Sequence, residues 1–219
     1  MAHKRPAYVL HRDDPDKDPL VGHVKVTRDD WLLVARDALV QHGVAEVKVL
    51  SLGARLGVSR SSFYGYFKSR KDLLEALLSD WEVRNTQSIL NNCALPSESI
   101  CAAVCNFFRC FVQPDIFDQG LDFAVREWSR RDVSVRARID AADQARLVAV
   151  TRMFERHEYA PEDAEVRARI LYFMQLGYHA LDVAEPMAER ASRVRGYLTG
   201  FTGQPPLDHV VEQFTSELI

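Results

Sequence analysis

Between Val58 and Lys71 the charged residues are Arg60, Lys68, Arg70 and Lys71, all of them positive. Ser61, Ser62, Tyr64 and Tyr66 stand among them and bring hydroxyl groups. A run of donors without an acid suits a polyanion, because each cation neutralises a phosphate and each hydroxyl donates to a phosphate oxygen. The alternative is a solvated basic turn in an ordinary helical domain.

Other chemistry is weakly signalled. His179 and Asp182 lie one helical turn apart and could share a metal. Cys101 and Cys105 share a helical face, with Cys110 a further turn away. Neither set has a second ligand pair at a recognised spacing, so no metal and no cofactor are expected. The thiols read as buried packing residues beside Phe107 and Phe108; a redox switch would require them exposed and acidic. The chain carries no Gly-rich phosphate loop, no nucleophile elbow and no helical HExxH, so an enzyme is not expected.

The elements that must hold the basic run are readable nearby. Leu52 and Leu56 sit four apart on one helical face. Gly57 ends that helix, since a residue without Cβ enters the left-handed region cheaply. Val58 fills the turn, and Ser59 reads as the N-cap of the next helix. Phe63 would point back at Leu52 and Leu56, and Gly53 lets the two helices cross closely. The second helix would then carry Arg60 to Tyr66. This is a helix-turn-helix, which lays its second helix in a DNA major groove.

The segment GVSRSSFYGYFKSRKDLL is similar to the signature of TetR-family transcriptional regulators: G-V-S, three variable residues, an apolar-Tyr pair, two variable residues, Phe, a basic run and L-L. Lys48, Gly53, Gly65 and Tyr66 depart from the residues common there. The resemblance implies that Arg60, Ser61, Ser62 and Tyr64 face bases. Arg60 would suit a guanine, since its guanidinium can pair with O6 and N7 together. It also implies that Lys48, Ser51, Tyr66 and Arg70 hold phosphates.

Composition agrees with a DNA-binding head on a different body. The 219 residues carry a formal net charge of −3 and 47% hydrophobic residues, enough for a real core. From Lys25 to Asp72 there are nine Lys and Arg against five acids, whereas from Leu73 onward there are fifteen against twenty-two. The expected division is a mobile arm at 1–26, a DNA-binding domain at 27–72 and a helical body at 73–219. Lys4 and Arg5 of the arm could reach a minor groove; a tail without a role is the alternative. The charged, proline-bearing N-terminus and the absence of a long apolar run set the expectation of a cytoplasmic protein with no membrane partner.

The pattern predicts an all-α chain. A helix capped by Thr27 runs to Gly43 and braces the motif. Ser69 and Asp72 cap a long helix that continues to about Asn92 and joins head to body. Body helices follow at about Pro96 to Val112, Asp115 to Arg130, Val133 to His157, Pro161 to Ala184, Pro186 to Thr199 and Leu207 to Leu218. Aromatic residues crowd the body with a few polar groups among them, the usual form of a small-molecule site. The candidate pocket residues are Phe107, Phe111, Trp128, Phe154, Gln175, Tyr178 and His179.

The helix from Pro161 is apolar around nearly its whole circumference, so it must be buried on more than one side. With the next helix it could form a four-helix bundle across a two-fold axis. Leu171, Met174, Met187, Ala191, Val194 and Leu198 are the candidate interface residues; the alternative is that both helices are core within one protomer. TetR-like proteins dimerise through corresponding helices, and the resemblance implies a homodimeric repressor released from palindromic double-stranded operator DNA by an apolar small-molecule effector. The rival readings are an activator, an effector-independent DNA-binding protein, or an enzyme that has kept a helix-turn-helix.

Overall fold

The computed structural model describes residues 9–19, 25–113, 116–181 and 183–218. Among them every regular element is helical. The N-terminal helices are α1 (Arg28–His42), α2 (Val49–Leu56), α3 (Arg60–Phe63) and α4 (Arg70–Trp81). A π-helical turn, Glu82–Thr86, leads into α5 (Gln87–Ala94). Then come α6 (Ile100–Val112), α7 (Gln119–Ser129), α8 (Val133–Glu155), α9 (Pro161–Ala180), α10 (Met187–Ser192), α11 (Val194–Thr202) and α12 (Asp208–Leu218). Pro114, Asp115 and Asp182 lie outside the described residues, as do Lys4 and Arg5.

Two compact units result: one is built from residues up to Trp81 with Gly120–Arg136, the other from Glu82–Gln119 with the chain from Ala137 onward. The head thus takes in more than the expected 27–72. The reason is α4, which buries Leu73, Leu74, Leu77, Leu78 and Trp81. Trp81 Nε1 also donates to Asp122 Oδ1 of α7 at 2.8 Å, and the fully buried Asp122 accepts from Arg126 Nε at 2.8 Å. The single long helix expected to Asn92 is interrupted by the π turn. That turn carries the buried Asn85, whose amide exchanges two hydrogen bonds with the main chain of Asp118 at 2.8 and 3.1 Å.

In the head, α1 buries Trp31, Val34, Ala35, Ala38 and Leu39, the stripe its spacing predicts. Thr27 and Asp30 form a capping box: Asp30 N donates to Thr27 Oγ1 at 3.2 Å, and Thr27 N donates to Asp30 Oδ2 at 2.8 Å. Asp30 Oδ1 accepts in addition from His11 N at 2.8 Å. That bond, with Leu10 only 8% exposed, fixes part of the segment expected to be a mobile arm.

The body core brings together Phe107, Phe154, Leu171, Tyr172 and Leu198 with all four cysteines. Burial pushes the Cys105 and Cys110 thiols up to about 12, and raises Cys93 and Cys101 too. Thiols that stay protonated are packing residues, not redox switches. No group of three or more His, Cys, Asp or Glu among the described residues could hold a metal ion. No described helix is long and apolar enough to cross a membrane.

Candidate nucleic-acid interface

The segment Arg60 to Tyr66 is positioned by its one buried member. Phe63 is fully buried and packs edge-on against Trp31 with ring centroids 5.2 Å apart, and stacks on Phe67 at 5.4 Å. Gly57 takes the left-handed conformation, φ 66°, that the turn requires. A Cβ on Gly53 would stand 3.1 Å from the Val58 carbonyl oxygen and 3.5 Å from the Trp31 ring, so the backbone approach there is close. Ser59 occupies the N-cap position, but its hydroxyl does not cap; it lies 2.7 Å from Ser61 Oγ instead.

The second helix is shorter than expected. α3 ends at Phe63, and Tyr64 to Tyr66 form a turn closed by Gly65 N to Ser62 O at 3.3 Å and Tyr66 N to Phe63 O at 3.0 Å. Bonds from i+3 tighten a last helical turn in this way.

With Phe63 turned inward, Arg60, Ser61 and Tyr64 are exposed and Ser62 is half-buried. Arg60 Nη2 donates to the Tyr64 hydroxyl at 2.8 Å, and the guanidinium lies 5.6 Å from the Tyr64 ring centroid. The pair holds the guanidinium off one face of a half-exposed ring and limits the rotamer freedom that binding would otherwise remove.

The four phosphate candidates divide. Lys48 and Ser51 are exposed, with Lys48 Nζ 2.8 Å from Glu46 Oε1. The hydrogen bond from Lys48 holds the Glu46 carboxyl below the usual range. Tyr66 donates its hydroxyl proton to Val26 O at 2.7 Å. A phosphate oxygen only accepts, so Tyr66 must break that bond to hold one. Arg70 donates from Nε to Val47 O at 2.7 Å and from Nη2 to Val44 O at 2.5 Å, which clamps the loop before α2. Both residues therefore act inside the head. Lys68 and Lys71 are exposed cations that the signature did not single out, although their charge was plain.

In the body, the candidate pocket residues differ in their nearest partners. Phe107 and Phe111 meet at 5.1 Å, Phe111 and His179 at 5.3 Å, and Gln175 Nε2 lies 2.7 Å from His179 Nε2. Phe117, one of the crowding aromatics but not a pocket candidate, joins them at 4.8 Å from Phe111. Phe154 packs on Tyr159, and Tyr178 donates to Glu185 beneath the Arg190 guanidinium. Trp128 belongs to the other compact unit. Its aromatic type suited a pocket, but its place on α7 puts it with the head.

Sequence reasoning missed Arg146. It is fully buried in α8 and bonds Thr86 and Tyr172. The signal was present: Ile139, Ala142, Val150 and Met153 form a buried stripe at helical spacing, with one arginine inside it.

The interface candidates need the same correction. Leu171, Ala191, Val194 and Leu198 are buried within the protomer. Met174 is half-buried and Met187 lies at the margin of exposure. The outward apolar face of α9 is instead Val166, Ile170 and Phe173, exposed by 55%, 54% and 48%. An all-round apolar helix has two candidate stripes, and spacing alone did not say which one the protomer fills.

An all-helical chain with an outward row of donors on the second helix of a helix-turn-helix has the architecture of a DNA-binding regulator. Residues 32–77 match the model of the bacterial regulatory proteins of the tetR family. The fold of the chain is that of TetR-like regulators. Salmonella enterica GusR is 17% identical, with a TM-score of 0.60 over 81% of this chain and 95% of that one. The repressor of the Stenotrophomonas maltophilia multidrug efflux pump SmeDEF, SmeT, is 21% identical, with a TM-score of 0.55 over 84% and 93%. Mycobacterium smegmatis AmtR is 16% identical, with a TM-score of 0.56 over 91% and 96%. A comparison with curated protein sequences returns no match.

Proposed function

We propose that the chain is a cytoplasmic transcriptional repressor that binds a palindromic operator as a homodimer and is released by a small-molecule effector held in the body. The observation that carries this reading is the exposed Arg60–Tyr64 pair, presented from a segment that Phe63 fixes to the head. Arg60, Ser61, Ser62 and Tyr64 read bases. Lys48, Ser51, Lys68 and Lys71 hold phosphates, which sets register without reading sequence. One head reads a half-site, so two are needed for a tight operator. An effector that binds better to the dimer whose reading helices are wrongly spaced shifts the population toward it, by no more than its differential affinity.

The test is fluorescence anisotropy on the DNA upstream of the chain's own gene, with an unrelated duplex as control, at two salt concentrations. Selective binding by two protomers per site is expected. Arg60→Ala should cost about 1–3 kcal/mol on the selected duplex and relax preference at one position per half-site. Equal loss on every duplex would move Arg60 to the backbone. Tyr64→Phe removes the acceptor that orients Arg60, so it should weaken binding in the wild type and have little further effect in Arg60→Ala.

A further inference from the structure

A groove of about 260 Å³ lies in the body between α6 and α12. Ala102 and Cys105 of α6, Val210 of α12 and Pro96 give it an apolar wall. Ala102, Cys105 and Arg109 lie on the face of α6 opposite Phe107, since residues two or five apart on a helix are turned roughly 140–160° from one another. The groove is therefore on the other side of α6 from the Phe107–Phe111 contact. Toward the start of α6, Glu98 Oε1 lies 2.6 Å from His209 Nε2. Toward its end, Arg109 donates from Nε and Nη2 to the two oxygens of Glu217 at 2.6 and 2.8 Å.

Asn106 also lines the groove and is only 8% exposed. Its Oδ1 accepts from Arg109 Nη1. A guanidinium offers no acceptor, so that bond assigns the oxygen to Arg109 and fixes which way round the amide stands. Among the described residues no acceptor meets the two N–H groups of Nδ2. A polar side chain buried to this degree normally has its donors filled, so open ones point to a partner from outside the chain. That partner must bring an acceptor, and it should be neutral. Arg109, the cation in the wall, is already matched by Glu217, whose carboxyl its hydrogen bonds hold below the usual range. An anion in the groove would lose water without gaining a counter-charge.

We propose that the groove is a binding site for a small neutral carbonyl compound, such as an amide, a lactone or a ketone. Its carbonyl oxygen accepts from Nδ2 of Asn106, and its apolar part lies on Pro96, Ala102, Cys105 and Val210. The site stands just below the usual range of ligand pockets, which fits a ligand of about ten heavy atoms. The site does not depend on the function proposed above, since neither DNA nor the aromatic cluster enters into it.

The test is calorimetry on the full chain, without DNA, with cyclohexanecarboxamide, cyclohexanecarboxylate and cyclohexylmethylammonium, which share one ring. One carboxamide should bind per protomer, roughly tenfold more tightly than either ion. The ammonium can only donate and would meet donors; the carboxylate accepts but brings an unmatched charge. Asn106→Asp keeps an acceptor for Arg109 and removes both N–H groups, so it should weaken the carboxamide about tenfold. Ala102→Leu fills the groove from its wall, leaves that bond alone and should abolish carboxamide binding. Thermal unfolding checks that each variant folds; if Asn106→Asp does not, Ala102→Leu and the order of the three probes decide. No binding of the carboxamide, equal binding of all three probes, or carboxamide binding unmoved by Ala102→Leu or by a folded Asn106→Asp would overturn the proposal.

Discussion

Phe63→Ala is expected to remove about 3–5 kcal/mol from the stability of the head and to abolish duplex binding. Phe63 is fully buried and is the one member of the segment Arg60 to Tyr66 that points inward. Its ring packs on Trp31 of α1 at 5.2 Å and on Phe67 at 5.4 Å. A four-residue helix has too few internal bonds to persist alone, so its orientation is borrowed from that packing. Urea unfolding followed by circular dichroism measures the first effect and anisotropy the second. Arg60→Ala is the matched comparison: its side chain is exposed, so unfolding should be nearly unchanged while binding falls. If Phe63→Ala left binding intact, the segment would be held by something other than its aromatic anchor.

The contrast between those two substitutions marks what the amino-acid order reveals. Leu52, Leu56, Gly57 and Phe63 were readable because each acts through a local rule of helical spacing or backbone conformation. The inward turn of Trp31, Val34 and Leu39 follows from the same rule. What local rules miss depends on distant chain. Tyr66 looked like a phosphate donor until Val26, 40 residues earlier, took its proton. Arg70 was counted as a surface cation, yet the carbonyls of Val44 and Val47 receive it. Ser59 occupies the cap position with its hydroxyl turned to Ser61. The exposed residues Arg60, Ser61 and Tyr64 needed no such partner to be placed, since an exposed residue on a short helix is located once the buried one is. The body is harder because its helices carry apolar residues on several faces. Arg146 was hidden by its neighbours: an arginine in a stripe of Ala142, Val150 and Met153 could be taken for a side chain that reaches past them to water.

The same ambiguity decides where two copies should meet. Phe173→Glu, or Ile170→Glu, is expected to convert a dimer to monomers and to lower operator affinity by about 10²- to 10⁴-fold, the gain that linking two half-site contacts provides. Val166, Ile170 and Phe173 lie at spacings of four and three on one face of α9, and each is about half exposed. An exposed apolar row on a long helix is the form of an isologous contact, in which each copy offers the same patch to the other. A glutamate there costs the free protomer little, because its carboxylate stays in water, but a paired interface would bury two of them without a cation. Sedimentation measures the association state and thermal unfolding the protomer. Leu198→Glu separates the two stripes. Leu198 is buried inside the protomer, so that change should unfold the body at any concentration, whereas Phe173→Glu should leave it folded. A Phe173→Glu protein that remained a dimer with full duplex affinity would place the contact on another face, and the half-exposed row of α9 would then need a different partner.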